Sequence, residues 1–203
     1  SFYDLKEHTG LMRNLMLRNT KAGDWMINVV FAKNEDQNIQ KLMQAIHDKF
    51  EPKALNYCIN EKMNDSTFDQ EFINYSGDTD IQEELCGLTF NISPKSFFQT
   101  NPVQAEKLYN VAIEFADIQP TDVVYDLYCG TGTITCVAAT KAKKAVGVEI
   151  VEEAIEAAIA NAKLNGISNT EFLAGDMKDV FNERFYTAHG KPDIIITDPP
   201  RSG

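Results

Sequence analysis

Residues 85–203 predict an α/β fold, a parallel sheet with helices on both faces, preceded by a smaller α/β unit over residues 1–84. Short apolar runs (Val123 to Leu127, Ala145 to Glu149, Thr170 to Ala174, Asp193 to Thr197) alternate with helical segments. Strands that are apolar throughout, rather than at every second position, are buried on both faces, as in βαβ units. The first half has a different order, with two strand-like runs in succession before any helix, so the chain holds two kinds of unit.

In the first half, Leu11 to Arg18 and Trp25 to Phe31 are rich in strand formers, and Asn19 to Asp24 supplies turn chemistry between them. That combination predicts a hairpin. Ile39, Leu42, Met43 and Ile46 recur at helical spacing, with Asn38 as the N-cap and Pro52 beyond the end. Ala54 to Ile59 predicts a third strand. The polar stretch Asn60 to Asp80, with isolated Phe68, Phe72 and Tyr75, predicts a loop or irregular hairpin.

In the second half, Leu88 to Ile92 alternates as a strand and Ser93-Pro94-Lys95 breaks it. Asn101-Pro102 opens a helix, because Asn caps free amides and Pro at the first helical position gives up no hydrogen bond. Val103, Leu108, Val111, Ala112 and Phe115 are expected to form its buried stripe. Helices are then predicted from about Thr133 to Thr140 and from about Val151 to Leu164, with a short one after Ala174.

Charge and composition bound the function. The 203 residues carry 19 Lys and Arg against 30 Asp and Glu, a net charge of −11. Such a balance disfavours non-specific clamping of a polyphosphate backbone. No apolar run approaches the length of a membrane span, and Ser1 to Gly10 has no apolar signal core. The four cysteines, Cys58, Cys86, Cys129 and Cys136, have no CxxC spacing, so neither a zinc site nor a disulfide framework is expected. These features predict reduced thiols and a cytoplasmic address. A start without Met and an end directly after a motif suggest a piece of a longer protein.

The chemistry concentrates at strand ends. Asp126-Leu127-Tyr128-Cys129-Gly130-Thr131-Gly132-Thr133-Ile134 stands where the first strand of the run gives way to a helix. Gly130 and Gly132 allow the backbone to pass close to a ligand, and the following helix offers free amides. The third glycine of the dinucleotide fingerprint is replaced by Thr135. Asp126 at the strand end would repel a pyrophosphate and welcome a sulfonium or ammonium. A cationic amino-acid nucleoside, S-adenosylmethionine, therefore suits the turn better than NAD or ATP. Glu149 ends the second strand, where a carboxylate accepts both ribose hydroxyls. Asp176 follows the third strand and either meets the adenine amino group or caps the helix at Met177. Thr197-Asp198-Pro199-Pro200-Arg201 leaves the fourth strand as a stiff arm, since two prolines fix φ and lack donors.

Together, Asp126 to Ile134, Glu149, Asp176 and Asp198 to Gly203 resemble the class I S-adenosylmethionine-dependent methyltransferases. Ser96-Phe97-Phe98-Gln99-Thr100-Asn101 narrows the resemblance to the RNA uracil-C5 (5-methyluridine) methyltransferase family. It covers the second half firmly and the first half, similar to that family's central RNA-facing domain, more weakly. The resemblance implies an incomplete Rossmann-like sheet and methylation of uridine C5 in rRNA or tRNA, by a monomer when full-length. It implies that Gln99 contacts the methionine end of the cofactor, that Tyr128 and Thr133 lie against it, and that Glu149 binds the ribose. Asp176 would take the adenine side and Asp198 the cleft near the reacting methyl. At the position of Thr133 relatives often carry Asn. Arg201 stands where amino-group methyltransferases carry a stacking aromatic, which argues against N-methylation.

The same resemblance implies a thiolate that adds to C6 of uracil, so that C5 takes the methyl, and a carboxylate that removes the C5 proton. It places that Cys and Glu beyond residue 203, so no catalytic residue is assigned in this chain. Three alternatives remain: a methyltransferase for another substrate, a non-catalytic S-adenosylmethionine or RNA-binding module, and a dinucleotide binder, the last disfavoured by Thr135 and Asp126.

Overall fold

The computed structural model describes residues 1–179 and 182–199. The chain divides into two compact units, Ser1–Glu83 with Ile92–Lys95, and Glu84–Asn91 with Ser96–Gly203.

In the first unit, β1 (Met12–Asn19) and β2 (Trp25–Phe31) form the expected antiparallel hairpin. Helix α1 (Asp36–Phe50) crosses to β3 (Ala54–Ile59), which runs parallel to β2. The cap of α1 is Glu35 rather than Asn38, which sits in the first turn and donates its side-chain amide to the Glu35 carboxylate at 2.8 Å. Ile27, Val29, Phe31 and Leu55 pack against Ile39 and Met43 of α1 as the core.

The polar stretch expected as a loop or irregular hairpin contains a fourth strand, β4 (Ile73–Gly77), which returns antiparallel to β3 with a register shift, so the sheet order is β1-β2-β3-β4. Its polar side chains hid it. Asn74 Nδ2 donates to Asn56 Oδ1 at 3.0 Å, and Asn56 Nδ2 donates to Asn28 Oδ1 at 3.1 Å, an asparagine ladder across β4, β3 and β2. Arg13, almost wholly enclosed, ties the preceding loop by donating to the carbonyls of Asn60 and Asn64, both at 2.8 Å, and pairing with Asp65 at 3.2 Å.

The strands β5 (Ile81–Leu85) and β6 (Leu88–Ile92) form a two-stranded sheet. In the second unit follow α2 (Pro102–Ala116), β7 (Val123–Leu127), α3 (Thr133–Ala139), β8 (Lys144–Glu149), α4 (Glu152–Leu164) and β9 (Thr170–Ala174). A 3₁₀ turn (Met177–Asp179), α5 (Glu183–His189) and β10 (Ile194–Thr197) complete it. The four strands β10-β7-β8-β9 lie side by side in that order, all parallel. This is the α/β class expected. Alternation along β7 explains the two faces. Val124 packs with Val137, Ala138 and Ile113 on the α2 and α3 side. Tyr125 and Leu127 pack with Val146, Val148 and Phe185 on the α5 side.

Helix α2 begins as expected, with Asn101 Oδ1 accepting from the Gln104 amide at 3.1 Å and Pro102 at its first position. Its buried face is not the one expected. Ala105, Tyr109 and Ile113 are buried, whereas Val103, Leu108, Val111 and Phe115 are exposed, Phe115 by 85%. Both faces carry apolar residues, so periodicity alone does not say which one meets the sheet. Among the described residues, no helix is long and apolar enough to cross a membrane. Among them, too, no group of three or more His, Cys, Asp or Glu is placed to hold a metal ion.

Candidate functional site

The site is built on the turn between β7 and α3, where parallel strands of an open α/β sheet present their carboxyl ends. Tyr128 leaves β7 with φ +65°, and the amides of Tyr128 and Cys129 donate to the Val148 carbonyl of β8 at 2.9 and 3.1 Å. Gly130 and Gly132 follow with φ +53° and +78°. Their roles differ. A Cβ on Gly130 would meet nothing within 4 Å, so that side of the turn is open to a ligand. A Cβ on Gly132 would lie 2.8 Å from Ala158 Cβ and 2.9 Å from the Phe172 ring, so this glycine serves the packing of α4 and β9. Thr133, the first residue of α3, is buried.

Asp126 is the penultimate residue of β7, and its side chain shares the face of Val124 and turns under α3. It is 1% exposed. Thr135 Oγ1 donates to Asp126 Oδ2 at 2.6 Å, while Oδ1 is buried without a hydrogen-bond partner among the described residues. Burial, with Asp198 and Glu149 nearby, pushes the carboxyl up to about 7, against the opposing hydrogen bonds from Thr135. Its neighbour across the register is Gly147. A Cβ there would come within 2.9 Å of both Thr135 Oγ1 and Cys129 Sγ. The threonine at the third-glycine position is therefore the partner of the buried acid.

Glu149 ends β8 and folds back onto the turn. Its Oε2 accepts from the Gly130 amide at 3.1 Å, and its Oε1 accepts from the Ile150 amide at 2.8 Å and the Val151 amide at 3.2 Å. Asp176 accepts from the Lys178 amide at 3.0 Å and pairs with its ammonium at 2.8 Å. Those contacts hold its carboxyl below the ordinary range. Of the two readings of Asp176, the local cap is thus formed, with the carboxylate at the surface.

Gln99 precedes α2 and hydrogen-bonds with the phenol of Tyr109, which burial pushes up to about 12, with Asp198 and Asp126 near enough to act on it. Asp198 lies just beyond β10, with its amide 3.5 Å from the Leu127 carbonyl of β7. The structure thus brings together Gln99, Asp126, Tyr128, Gly130, Gly132, Thr133, Glu149 and Asp198 around the ends of β7 and β8, while Asp176 follows β9, the neighbour of β8. Pro200 to Gly203, including Arg201, lie outside the described residues.

Sequence reasoning missed Tyr109, Thr135 and Asn161 as parts of this site. Tyr109 reads as one more core residue of an amphipathic helix. Thr135 was visible only as a missing glycine. Asn161, a polar residue among alanines on α4, was the one available signal.

Three of the four thiols are held in the neutral form by burial. Burial pushes Cys58 up to about 11, Cys136 up to about 12 and Cys129 higher still. Cys86 has its amide bonded to Glu106 Oε1 at 2.9 Å.

The parallel sheet, the Gly turn and the carboxylates at the strand ends agree with a match of residues 118–200 to the family model of a methyltransferase domain. An uncharacterized RNA methyltransferase of Porphyromonas gingivalis is 48% identical over 203 residues, all of this chain and 44% of that protein. One of Bacteroides thetaiotaomicron is 44% identical over 207 residues, all of this chain and 46% of that protein. Among solved structures, the Pyrococcus abyssi tRNA (uracil-54, C5)-methyltransferase in complex with S-adenosyl-L-homocysteine superposes with a TM-score of 0.78 at 27% identity. That match covers 99% of this chain and 47% of the other. The chain thus spans less than half the length of these relatives.

Proposed function

We propose that this chain is the cofactor-binding part of an S-adenosylmethionine-dependent RNA methyltransferase acting on C5 of uridine in rRNA or tRNA. The observation that carries the reading is a pair of carboxylates, Glu149 and Asp198, beside a turn that is open at Gly130, with Asp126 buried beneath it. Such a rim favours a ligand with cationic groups over a polyphosphate. Asp126 Oδ1, buried and unpartnered among the described residues, fits the same ligand, since a nearby positive charge would offset the cost of ionising it. When bound, S-adenosylmethionine supplies an electrophilic methyl group on sulfonium.

Around it the residues divide the work. Glu149, anchored by three backbone amides, retains one acceptor site, on Oε2, for a ribose hydroxyl. Gln99, held by Tyr109, reaches the methionine end, and Asp198 stands at the cleft beside the reacting methyl. Tyr128 and Thr133 bound the turn through Gly130 and Gly132, and Asp176 takes the adenine side. The uridine assignment rests on Phe97-Phe98-Gln99 with Asp198-Pro199-Pro200-Arg201 and on the likeness to the uracil-54 enzyme over nearly the whole chain. The nucleophilic Cys and the Glu base of that chemistry belong to the proposal as residues outside these 203, in keeping with the raised thiols inside. RNA as partner, and a cytoplasmic address, belong to it as well.

Titration calorimetry tests the pocket. The chain is expected to bind S-adenosylhomocysteine, and Glu149→Ala to weaken it about tenfold or more through loss of a charge-assisted contact. Unchanged affinity in that variant, or tighter binding of NADH than of S-adenosylhomocysteine, would overturn the assignment.

A further inference from the structure

Helix α4 carries two asparagines one turn apart that act as a strand partner for β6. Asn165 Oδ1 accepts from the Thr89 amide at 2.8 Å, and its Nδ2 donates to the Thr89 carbonyl at 2.7 Å. Asn161 Oδ1 accepts from the Asn91 amide at 2.9 Å. The match is geometric: four residues of helix advance about 6 Å and two residues of strand about 7 Å.

Asn161 differs from Asn165 in what its second group does. Its Nδ2 donates to the Thr131 carbonyl at 3.1 Å, and the side chain is fully buried. Thr131 is the residue between Gly130 and Gly132. The peptide joining Thr131 to Gly132 is held at its other end by the Gly132 amide, which donates to the Cys129 carbonyl at 2.9 Å, while Gly132 has no Cβ to restrict φ. A bond that fixes the Thr131 carbonyl fixes the plane of the peptide it belongs to, and with it the amide side of Gly132. The two functions of one amide thus join the turn to the strand that precedes the Gln99 segment.

We infer that Asn161 is a positioning residue of the cofactor site, holding the Gly130–Gly132 turn in its binding conformation through the Thr131 carbonyl. The inference rests on the function proposed above. It adds a residue that touches no ligand and acts by preorganisation, removing an ordering cost that the ligand would otherwise meet on binding.

The test replaces the donor alone. In Asn161→Asp the acceptor for Asn91 is kept, but an ionised carboxylate cannot donate to Thr131. Affinity for S-adenosylhomocysteine, by calorimetry, is expected to fall about tenfold at pH 8 for one lost buried hydrogen bond. It is expected to recover as the pH falls and the introduced carboxyl is protonated, because the acid form donates again. Asp126, Glu149 and Asp198 also titrate near the turn, so the readout is the ratio of variant to unmutated affinity at each pH. Asn165→Asp, which loses its contacts with the Thr89 and Asn161 carbonyls but makes none with the turn, is expected to stay within about twofold.

If the buried charge prevents folding, Asn161→Ala beside Asn165→Ala carries the same contrast. Amide shifts of Gly130 and Gly132 should then move in the first variant and not in the second. No binding by the unmutated chain overturns the proposed function and this inference with it. Binding that both Asn161 variants leave unchanged, or a flat ratio across pH, overturns the inference alone.

Discussion

Thr135 Oγ1 donates to Asp126 Oδ2 at 2.6 Å, and the carboxylate it holds is 1% exposed with its other oxygen unpartnered among the described residues. The residue that stands in place of a third fingerprint glycine thus partners a buried acid near the end of the first strand of the parallel sheet. The pair separates this turn chemically from a dinucleotide-binding one, where a glycine at that place serves helix–strand packing.

That relationship predicts how stability depends on pH. Burial lifts Asp126 from an ordinary 3.8 to about 7, so between those values the folded chain holds a proton that the unfolded chain has released. The stability this group contributes is complete below 3.8 and is lost as the pH rises through about 7. Asp176, held low by Lys178, and Glu171, which burial would raise but which Lys144 and His189 hold low, act oppositely and only in acid. Urea unfolding from about pH 5 to pH 8 should therefore show a fall in stability with rising pH, and Asp126→Asn should flatten it. An equal slope in both proteins would mean that another group titrates there.

The two glycines of the turn should respond differently to alanine. Gly132→Ala places a Cβ 2.8 Å from Ala158 Cβ at φ +78° and is expected to cost more than about 2 kcal/mol, from left-handed strain and overpacking together. Gly130→Ala meets open space, so only the strain of about 1 kcal/mol applies. Its fold should survive while affinity for S-adenosylhomocysteine falls, because the methyl projects toward the open side. Chemical denaturation paired with calorimetry checks both.

Helix α2 gives a third contrast. Ile113→Ala removes a buried side chain and should cost about 2–4 kcal/mol. Phe115→Gln, at an exposed position, should change stability by no more than about 0.5 kcal/mol. The reverse ranking in urea titrations would restore the stripe expected from periodicity.

What was legible follows from the range of the forces involved. The cap and proline of α2 act within one turn, so Asn101-Pro102 announced the helix correctly. The apolar runs of β7 to β10 need only local propensity and burial on both faces. Strand β4 was not legible, because its identity rests on Asn74 meeting Asn56 across the sheet and not on apolar alternation. The buried face of α2 was not legible either, since Leu108, Val111 and Phe115 are as apolar as the residues that do meet the sheet. Within the site, glycines and acids at strand ends were visible as residue types. Tyr109 beside Gln99 was not, and Asn161 showed only as a polar residue among alanines, its contact with Thr131 unmarked, because contacts between distant residues leave no mark on spacing.

By itself, then, the order of residues determined the strand–helix alternation, the place of the turn and the positions of its acids, since these depend on side-chain period and neighbours along the chain. Only the tertiary structure decided what each acid does. The two-residue period of β7 turns Asp126 under α3, where burial pushes its carboxyl up to about 7 against the hydrogen bond from Thr135, while Glu149, one strand over, reaches the Gly130 amide. Desolvation and hydrogen-bond partners are properties of packed neighbours, so they exist only once the sheet has brought those residues together.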